Sequence, residues 1–427
     1  MLYVLRNTWA LLLGMLLLML GNGMQGSLLG IRGAIEGFSP LALSLITSGY
    51  FLGFLISSRV TPDLIRRVGH VRVFAAMASI ISAAFILYAA LPDVWVWGLL
   101  RIIVGAGFAS VYIVAESWLN DSATNETRGQ ALSAYMIVQL GGIVAAQGLL
   151  NFGDPAGYGL FVLISVAVSL SFAPILLTVS PVPVHDATEP MTLRELFEAS
   201  PLGCVGALLL GGVFSTMFGM TAIYGTEIGL SVAQISALVA AIYTGGMVLQ
   251  YPIGWISDRM DRRLLILIVT AIGAAASLAA ILIGASSTAL LIIAFLVGGV
   301  ANPLYALLIA HTNDFLDYED MAAASGGLVF LNGVGAIGGP LVVGVAIESL
   351  GAWSYWGMIC LLLGGVSAYS AYRMTVRPTV AVDETGAYAP VLPQATVVAV
   401  EAATEYAIDA AEAEAEEAAG ADAAASA

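Results

Sequence analysis

Long stretches without a charged side chain constrain this chain more than any other feature of its sequence. A helix needs about 20 apolar residues to cross the hydrocarbon core of a bilayer. Hydrophobic residues make up 59% of the chain and charged residues only 10%, with a mean hydropathy of +0.94. A soluble domain carries about 25% charged residues, so we expect lipid to surround most of the chain. The charge-free stretches are residues 7–31, 37–58, 73–92, 129–153, 155–184, 199–226, 228–257, 264–313, 321–347 and 349–372.

These stretches predict twelve membrane-spanning helices. The stretch 264–313 is long enough for two, with a turn near Gly284, and a further span at about 94–118 is interrupted by Arg101. Helices are favoured over barrel strands because the apolar runs are continuous and because a helix satisfies its own backbone hydrogen bonds in lipid. The run after Arg6 is too long for a signal peptide, which predicts a retained first helix. The expected fold class is an all-α membrane protein.

The distribution of basic residues predicts the orientation. All 14 are arginines, and twelve of them fall in segments at one end of the predicted spans. The exceptions are Arg32, in the first loop at the other end, and Arg101, inside a span. Such a bias follows the positive-inside rule. We therefore expect a multi-pass protein of the cell inner (plasma) membrane with both termini cytoplasmic.

The chain is predicted to contain two six-helix halves, residues 1–180 and 201–375, joined by a cytoplasmic linker over 181–200. Basic clusters at 62–72 and 254–263 occupy corresponding places in the two halves. A parallel repeat of six helices is a known transporter architecture, with the substrate site at midplane between the halves. The pattern therefore predicts two pseudo-symmetric six-helix bundles.

Two segments outside the spans have their own character. Residues 376–427 form an Ala/Glu-rich tail, and positions 378–427 hold 10 acidic residues and no basic one. The tail offers little to bury, which predicts a solvated, disordered or loosely helical cytoplasmic segment. A binding or regulatory role is the alternative. In the linker, Thr192 to Ala199 predicts a short amphipathic helix on the membrane surface.

The sequence GWISDRMDRR at 254–263 resembles the loop motif G-x-x-x-D-R-x-G-R-R of the major facilitator superfamily. Asp261 stands where the second glycine is usual. The first-half copy is degenerate, because Arg66 replaces the expected Asp while Arg67 and Gly69 fit. The positions of the second-half motif that match are Gly254, Asp258, Arg259, Arg262 and Arg263.

The resemblance covers about residues 1–375 and, more narrowly, extends to the bacterial YcaD-type branch of the superfamily. It implies the twelve-helix major facilitator fold and alternating access by rocking of the two halves, usually driven by an ion gradient. The residues that carry the narrower resemblance are 21–39, 66–76, 115–120 and 133–142.

Two interpretations of the arginine clusters stay open. The arginines could pair with carboxylates across the interface and hold the cytoplasmic side closed, or they could only set the topology. Glu116, at the end of span 4, is either a structural partner of the loop arginines or a proton-coupling group. The candidate residues of this conformational gate are Gly254, Asp258, Arg259, Arg262, Arg263, Arg66, Arg67, Gly69 and Glu116.

Polar residues inside the spans are candidates for substrate binding. Arg101 is either functional or snorkels outward, because Trp95 and Trp97 place it near the outer interface. The alternative for each candidate is an interhelical hydrogen bond. The resemblance implies that spans 1, 4, 7 and 10 line the central path. The candidates are Asn22, Gln25, Arg101, Tyr112, Gln139, Tyr224, Tyr243, Asn302, Tyr305 and Asn332.

The function expected from the sequence is secondary transport of a small organic solute by alternating access, coupled to a proton or another ion, with export favoured. An uncoupled facilitator, or a membrane sensor or scaffold that signals through the acidic tail, are the alternatives. The chain has neither a phosphate-binding G-x-x-x-x-G-K-[ST] motif nor H-E-x-x-H, and its three histidines are far apart. We therefore expect no enzymatic activity, cofactor, metal or nucleic-acid partner, and a monomer in the lipid bilayer.

Overall fold

The computed structural model describes residues 2–124, 127–176, 191–284, 287–376, 378, 380, 381 and 385–410. Within these residues, twelve segments are long and apolar enough to cross a membrane, α6 and α7 together forming one of them. These twelve spans confirm the predicted fold class. The helices are α1 (Leu2–Ile35), α2 (Pro40–Val68), α3 (His70–Ala90), α4 (Val94–Ser122), α5 (Arg128–Leu150), α6 (Gly159–Ser171), α7 (Ala173–Leu176), α8 (Leu193–Ala199), α9 (Pro201–Glu227), α10 (Val232–Ser257), α11 (Arg262–Ile283), α12 (Ser287–Asn313), α13 (Tyr318–Leu350) and α14 (Ser354–Val376).

Short capped turns join the spans and make neighbours antiparallel. Ser39 begins α2 by accepting a hydrogen bond from the backbone N–H of Ala42 at 3.2 Å, with Pro40 in the first turn, where proline is tolerated. Gly69 alone separates α2 from α3, and its φ of 87° explains why a glycine ends α2 there. Such turns leave almost every intervening residue for the spans.

The helix packing repeats between the two halves. In the first half α2 packs on α4, α1 on α5 and α3 on α6. In the second half α10 packs on α12, α9 on α13 and α11 on α14, which are the equivalent pairs six spans later. Where the halves meet, α2 contacts α13, α5 contacts α10 and α1 contacts α9. The halves also meet through α2 with α9 and α1 with α10, in less extensive contacts.

The two ends of the interface differ. We call the end with residues 69, 123, 124, 127, 258–261 and 314–317 the arginine face, and the other end the opposite face. Near the opposite face, Gly344 and Gly219 touch Ser44 and Thr47 so closely that neither glycine has room for a Cβ.

A hydrogen bond adds to the contact near that end. The Ser48 hydroxyl of α2 donates to the Ile337 carbonyl of α13 at 2.9 Å. Close approach through small residues is how helices pack in lipid, and here it closes the opposite face.

Residues 385–410 lie between the halves at the arginine face. Positions 397–410 form a helix, and Thr396, Val400 and Ala403 are at most 2% exposed. The prediction of a solvated tail is therefore wrong for this segment. The part of that prediction that concerns residues 411–427 lies outside the described residues.

The short helix in the linker is confirmed. The hydroxyl of Thr192 accepts from the backbone N–H of Glu195 and the Glu195 carboxylate accepts from the N–H of Thr192, a reciprocal cap that begins α8. Its place on the membrane surface stays a prediction. Linker residues 181–190 lie outside the described residues.

Candidate functional site

A cavity lies at the centre of the interface between the halves. The free space between its walls, part of it open to solvent, amounts to about 550 Å³. Side chains of α1, α2, α9 and α13 form its walls, and residues 393–395 of the tail form its boundary toward the arginine face. The cavity is therefore covered at that side by a segment outside the twelve spans.

Aromatic side chains dominate the cavity wall. Tyr50 and Phe54 of α2 face Phe214 and Phe218 of α9, with ring centroids of Tyr50 and Phe218 5.5 Å apart. Phe214 and Phe218 stack at 5.9 Å. These four aromatic residues were not among the predicted site residues, although each pair is spaced four residues apart and so shares one helix face. That spacing was the signal available.

Two of the predicted substrate-binding amides line the cavity. Asn22 on α1 donates to the Tyr112 hydroxyl at 2.9 Å and accepts from Gln25 at 2.8 Å. Asn332 on α13 donates to the carbonyl of Pro393 at 2.7 Å. Asn22, Gln25 and Tyr112 thus form one network at one wall, and Asn332 holds the tail at the other.

Other predicted residues lie away from the central cavity. Gln139 lines a smaller space of about 270 Å³ beside the tail, and the Gln394 amide donates to it at 3.3 Å. Tyr243 packs in a cluster with Leu392. These two candidates contact the tail.

Three further candidates pack inside the second half. Tyr224 stacks on Tyr355 with centroids 4.7 Å apart. Asn302 donates to the Gly298 carbonyl of its own helix at 3.0 Å, and Tyr305 is fully buried. The Tyr224–Tyr355 contact is one of interhelical packing, whereas the Asn302 hydrogen bond lies within α12.

Arg101 is buried, which makes the snorkelling alternative wrong. Its side chain is 2% exposed and its Cζ lies 5.1 Å from the centroid of the Tyr50 ring. The prediction of a shallow position relied on Trp97 as an interface marker. Trp97 is fully buried and donates to the Tyr88 carbonyl at 3.0 Å, while Trp95 is 82% exposed. The Arg101 guanidinium is therefore held against the Tyr50 ring by a cation–π contact, and Tyr50 lines the cavity.

The arginines of the second-half motif contact residues of their own half, and Arg262 also donates to the Gly386 carbonyl of the tail. Arg262 pairs with Asp314 and donates to the Ser257 hydroxyl at 3.1 Å. Arg263 pairs with Asp261 at 3.1 Å. In this conformation these pairs brace the loops after α10 and α12.

The remaining gate arginines are more exposed. Arg66 pairs with Asp63 three residues before it, and Arg67 is exposed too. Arg259 lies 4.3 Å over the Trp255 ring. A contact between the halves comes instead from Arg59 of α2, 4.8 Å over the Phe330 ring of α13.

Glu116 meets hydroxyl and amide donors. Its carboxylate is 2% exposed and accepts from the Tyr135 hydroxyl at 3.3 Å. The backbone N–H of Thr396 donates to it at 3.2 Å, and the Thr396 hydroxyl donates to the same oxygen. The tail therefore supplies two of the donors to this buried acid.

Gly254 accommodates the tail at the second half. A Cβ on Gly254 would lie 2.6 Å from Cδ1 of Tyr388. The Tyr388 hydroxyl accepts from Gln250 at 2.8 Å, and its backbone N–H donates to Asp258 at 2.9 Å. With Glu116 and Arg262, four predicted gate residues thus contact the tail.

The chain matches known transporters along most of its length. A family model described as Major Facilitator Superfamily matches residues 11–232 and 202–398. Proteins named "Uncharacterized MFS-type transporter YcaD" from Escherichia coli and Shigella dysenteriae are 26% identical over 347 residues, 81% of this chain and 90% of theirs.

Solved structures share the fold. A mutant of nucleoside transporter NupG superposes with a TM-score of 0.70 at 14% identity, covering 86% of this chain and 98% of its own. A bacterial homolog of the human lysosomal transporter Spinster, inward-facing and unoccupied, gives 0.65 at 15% identity over 94% and 98%. The fucose:proton symporter FucP of E. coli gives 0.56 at 14% over 87% and 99%.

Proposed function

The chain belongs to the Major Facilitator Superfamily, and from that premise we propose that it carries a small organic solute across a membrane by alternating access. The observation that carries the proposal is the central cavity between the two halves. Contacts of α2 with α13 close it at the opposite face, and the tail covers its other side. Rocking of the halves about this cavity would expose it to each side in turn.

The cavity lining suggests the class of solute. Tyr50, Phe54 and Phe218 offer stacking surfaces, and Asn22 and Asn332 offer hydrogen-bonding groups. Among the described residues that line the cavity, none is charged. We infer a weakly polar substrate with a flat aromatic or heterocyclic part and at least one hydrogen-bonding group.

The arginine face is proposed to be the cytoplasmic side of the plasma membrane. The excess of arginines there supports this orientation. In the conformation closed toward the cytoplasm, the loops with Arg66, Arg67 and Arg259 would approach the other half and form ion pairs. The present local pairs suit a state that is open at this face.

Glu116 is the proposed proton-coupling group, with export as the direction. A buried carboxylate within a span is costly and is functional by default, and this one faces the space between the halves once Thr396 is removed. An uncoupled facilitator is the alternative, supported by the absence of an acidic side chain among the described residues of the cavity lining.

Transport into proteoliposomes tests the function. Flux of a labelled solute library is measured with and without a pH gradient, for the intact chain and for Phe218→Ala, which opens the aromatic wall. Tyr224→Phe, away from the cavity, is the matched control. Gradient-driven flux that Phe218→Ala alone reduces supports the proposal. If no solute crosses the membrane in the intact chain or in either variant, the proposal is contradicted.

A coupling test should separate Glu116 from the tail. Glu116→Gln is compared with the parent in chains that both lack residues 385–427, because Thr396 otherwise contacts this carboxylate. Loss of the pH dependence with flux retained supports Glu116 as the coupling group. Flux that ignores pH in both chains favours the facilitator.

A sensor or scaffold is the second candidate, and the docked tail is the observation that favours it. A tail held between two mobile halves could report their position. Deleting residues 385–427 would then abolish the cellular phenotype of the protein, whereas retained flux with a retained phenotype would exclude signalling through the tail.

A further inference from the structure

Residues 385–410 have the composition of a segment that is buried and not solvated. Positions 385–400 carry no charged side chain, and the acids of the described tail begin at Glu401. Val400 is fully buried, and Thr396 is 1% exposed. The segment therefore removes apolar surface from water against the two halves, which favours a docked position.

Contacts with the first half fix one side of the segment. Thr396 donates twice to Glu116 on α4. Farther along, Arg128 at the start of α5 pairs with Asp409 and, at 3.2 Å, with Glu405. The tail helix thus lies along the ends of α4 and α5.

Contacts with the second half fix the other side. Tyr388 packs on Gly254 and binds Gln250 and Asp258, as described above. The carbonyl of Pro393 accepts from Asn332 at 2.7 Å, and Asn313 donates to the Thr404 hydroxyl at 3.4 Å. A segment held by both halves separates their ends at the arginine face.

We propose that residues 385–410 are a plug that the chain carries for its own vestibule, the space between the halves from the central cavity to the arginine face. While docked, the plug covers the cavity and stands where the two halves must meet to close this face. It has to leave before either solute entry from the arginine face or closure of that face. Its effect on flux rests on the proposed function, but its occlusion of the cavity does not.

The test measures access to the cavity with a water-soluble thiol reagent on purified protein. Ser58 lines the cavity, and Ser58→Cys is placed in a chain with Cys204→Ser and Cys360→Ser, since both native thiols are free. Val400→Asp brings a charge to a fully buried tail position and should release the plug. Ala425→Asp, outside the described residues, adds the same charge as the matched control.

Release should make the labelling of Ser58→Cys about tenfold faster, because the reactive population then rises from a minor to a major state. The control should label as slowly as the parent. A chain that lacks residues 385–427 provides a second release variant if Val400→Asp does not fold. Equal labelling rates in the parent and in the folded release variants would overturn the proposal.

Flux separates this proposal from the proposed function. Faster labelling together with severalfold higher flux in the release variants supports both. Faster labelling with no flux of any solute supports the plug and contradicts the transporter. If every release variant labels as slowly as the parent and transports solute at the parent rate, the plug is contradicted and the proposed transport is supported.

Discussion

The Thr396 backbone N–H and hydroxyl both donate to the same carboxylate oxygen of Glu116, 280 residues earlier in the chain. The hydroxyl of Tyr135 donates to this carboxylate as well. A buried carboxylate is costly unless it is hydrogen-bonded. Docking of the tail therefore changes the hydrogen bonding of Glu116, because water replaces the two Thr396 donors when the tail leaves.

Replacing Thr396 by Val should weaken docking of the tail. The variant keeps the backbone donor but loses the hydroxyl, and a hydrogen bond to a charged group contributes about 1.5–3 kcal/mol. That corresponds to roughly 10–150-fold in the docking equilibrium. Labelling of Ser58→Cys should accelerate toward the rate of the tail-deleted chain. Thr404→Val is the matched control, because the Thr404 hydroxyl donates to Val400 of the same helix; equal acceleration in both would contradict a special role for Thr396.

Salt should loosen the tail through Arg128. Its side chain is 13% exposed and pairs with Glu405 and Asp409, which are 51% and 25% exposed. Pairs that are partly solvated contribute about 0–1 kcal/mol each and are screened by salt. Labelling of Ser58→Cys should therefore rise a few-fold between low and high salt. The salt effect should vanish in Arg128→Gln. It should persist in Arg66→Gln, the control, because the pair of Arg66 with Asp63 lies within α2. If the salt effect persists in both variants, it does not come from the pairs of Arg128.

The spans could be predicted because each carries its own signal. An apolar run of about 20 residues and a short capped turn, such as Ser39-Pro40, suffice to define a helix without knowledge of its neighbours. The prediction for the tail was wrong because the tail was treated as one segment. Pooling the neutral residues 385–400 with the acids from Glu401 onward averaged a segment suited to burial into one that looks solvated.

The candidate site was only partly predictable, because it depends on which helix faces meet. Asn22 and Asn332 were found since a polar residue in an apolar span is unusual. The stacking of Phe214 and Phe218 looked like ordinary hydrophobic sequence. The pairing of Thr396 with Glu116 joins residues too far apart in the chain for any periodic pattern to reveal it.

Lower pH should tighten docking through Glu401. Burial, and then the nearby charge of Glu405, raise the pKa of the Glu401 carboxyl from 4.5 to about 7 in the docked tail. The docked state therefore takes up a proton that the released tail does not, and docking weakens as the pH rises from the ordinary pKa through about 7. The labelling rate of Ser58→Cys, divided by the rate of the tail-deleted chain at the same pH, should be higher at pH ~8 than at pH ~5.5.

The control for this pH effect is Glu401→Gln, which is neutral throughout. Its normalised labelling rate should stay nearly constant and low across the range. If the variant retains the parent's pH dependence, another group is responsible.

Asn22→Leu should reduce the apparent affinity for the transported solute. The change keeps a side chain branched at Cγ but removes the amide that the cavity presents beside Tyr112, and a missing polar partner costs about 1–3 kcal/mol. That predicts a KM roughly 5- to 150-fold higher in proteoliposomes. Asn302→Leu, whose amide donates within its own helix, should leave KM near the parent value; a similar rise in both would indicate general damage to packing.

Gly254→Ala should displace Tyr388 without affecting the other end of the tail. The added methyl would lie 2.6 Å from the Tyr388 ring, closer than van der Waals contact allows, so the ring and its hydrogen bond from Gln250 must shift. Overpacking of this kind typically costs about 1–3 kcal/mol. Hydrogen exchange of the amides around Tyr388 should accelerate, while exchange near Val400 changes less. Gly148→Ala, where a Cβ meets nothing within 4 Å, is the matched control.

In a Tyr388→Ala chain the Gly254→Ala change should have almost no effect, because the clash partner is gone. An undiminished effect there would mean that Gly254 acts through its own helix and not through the tail.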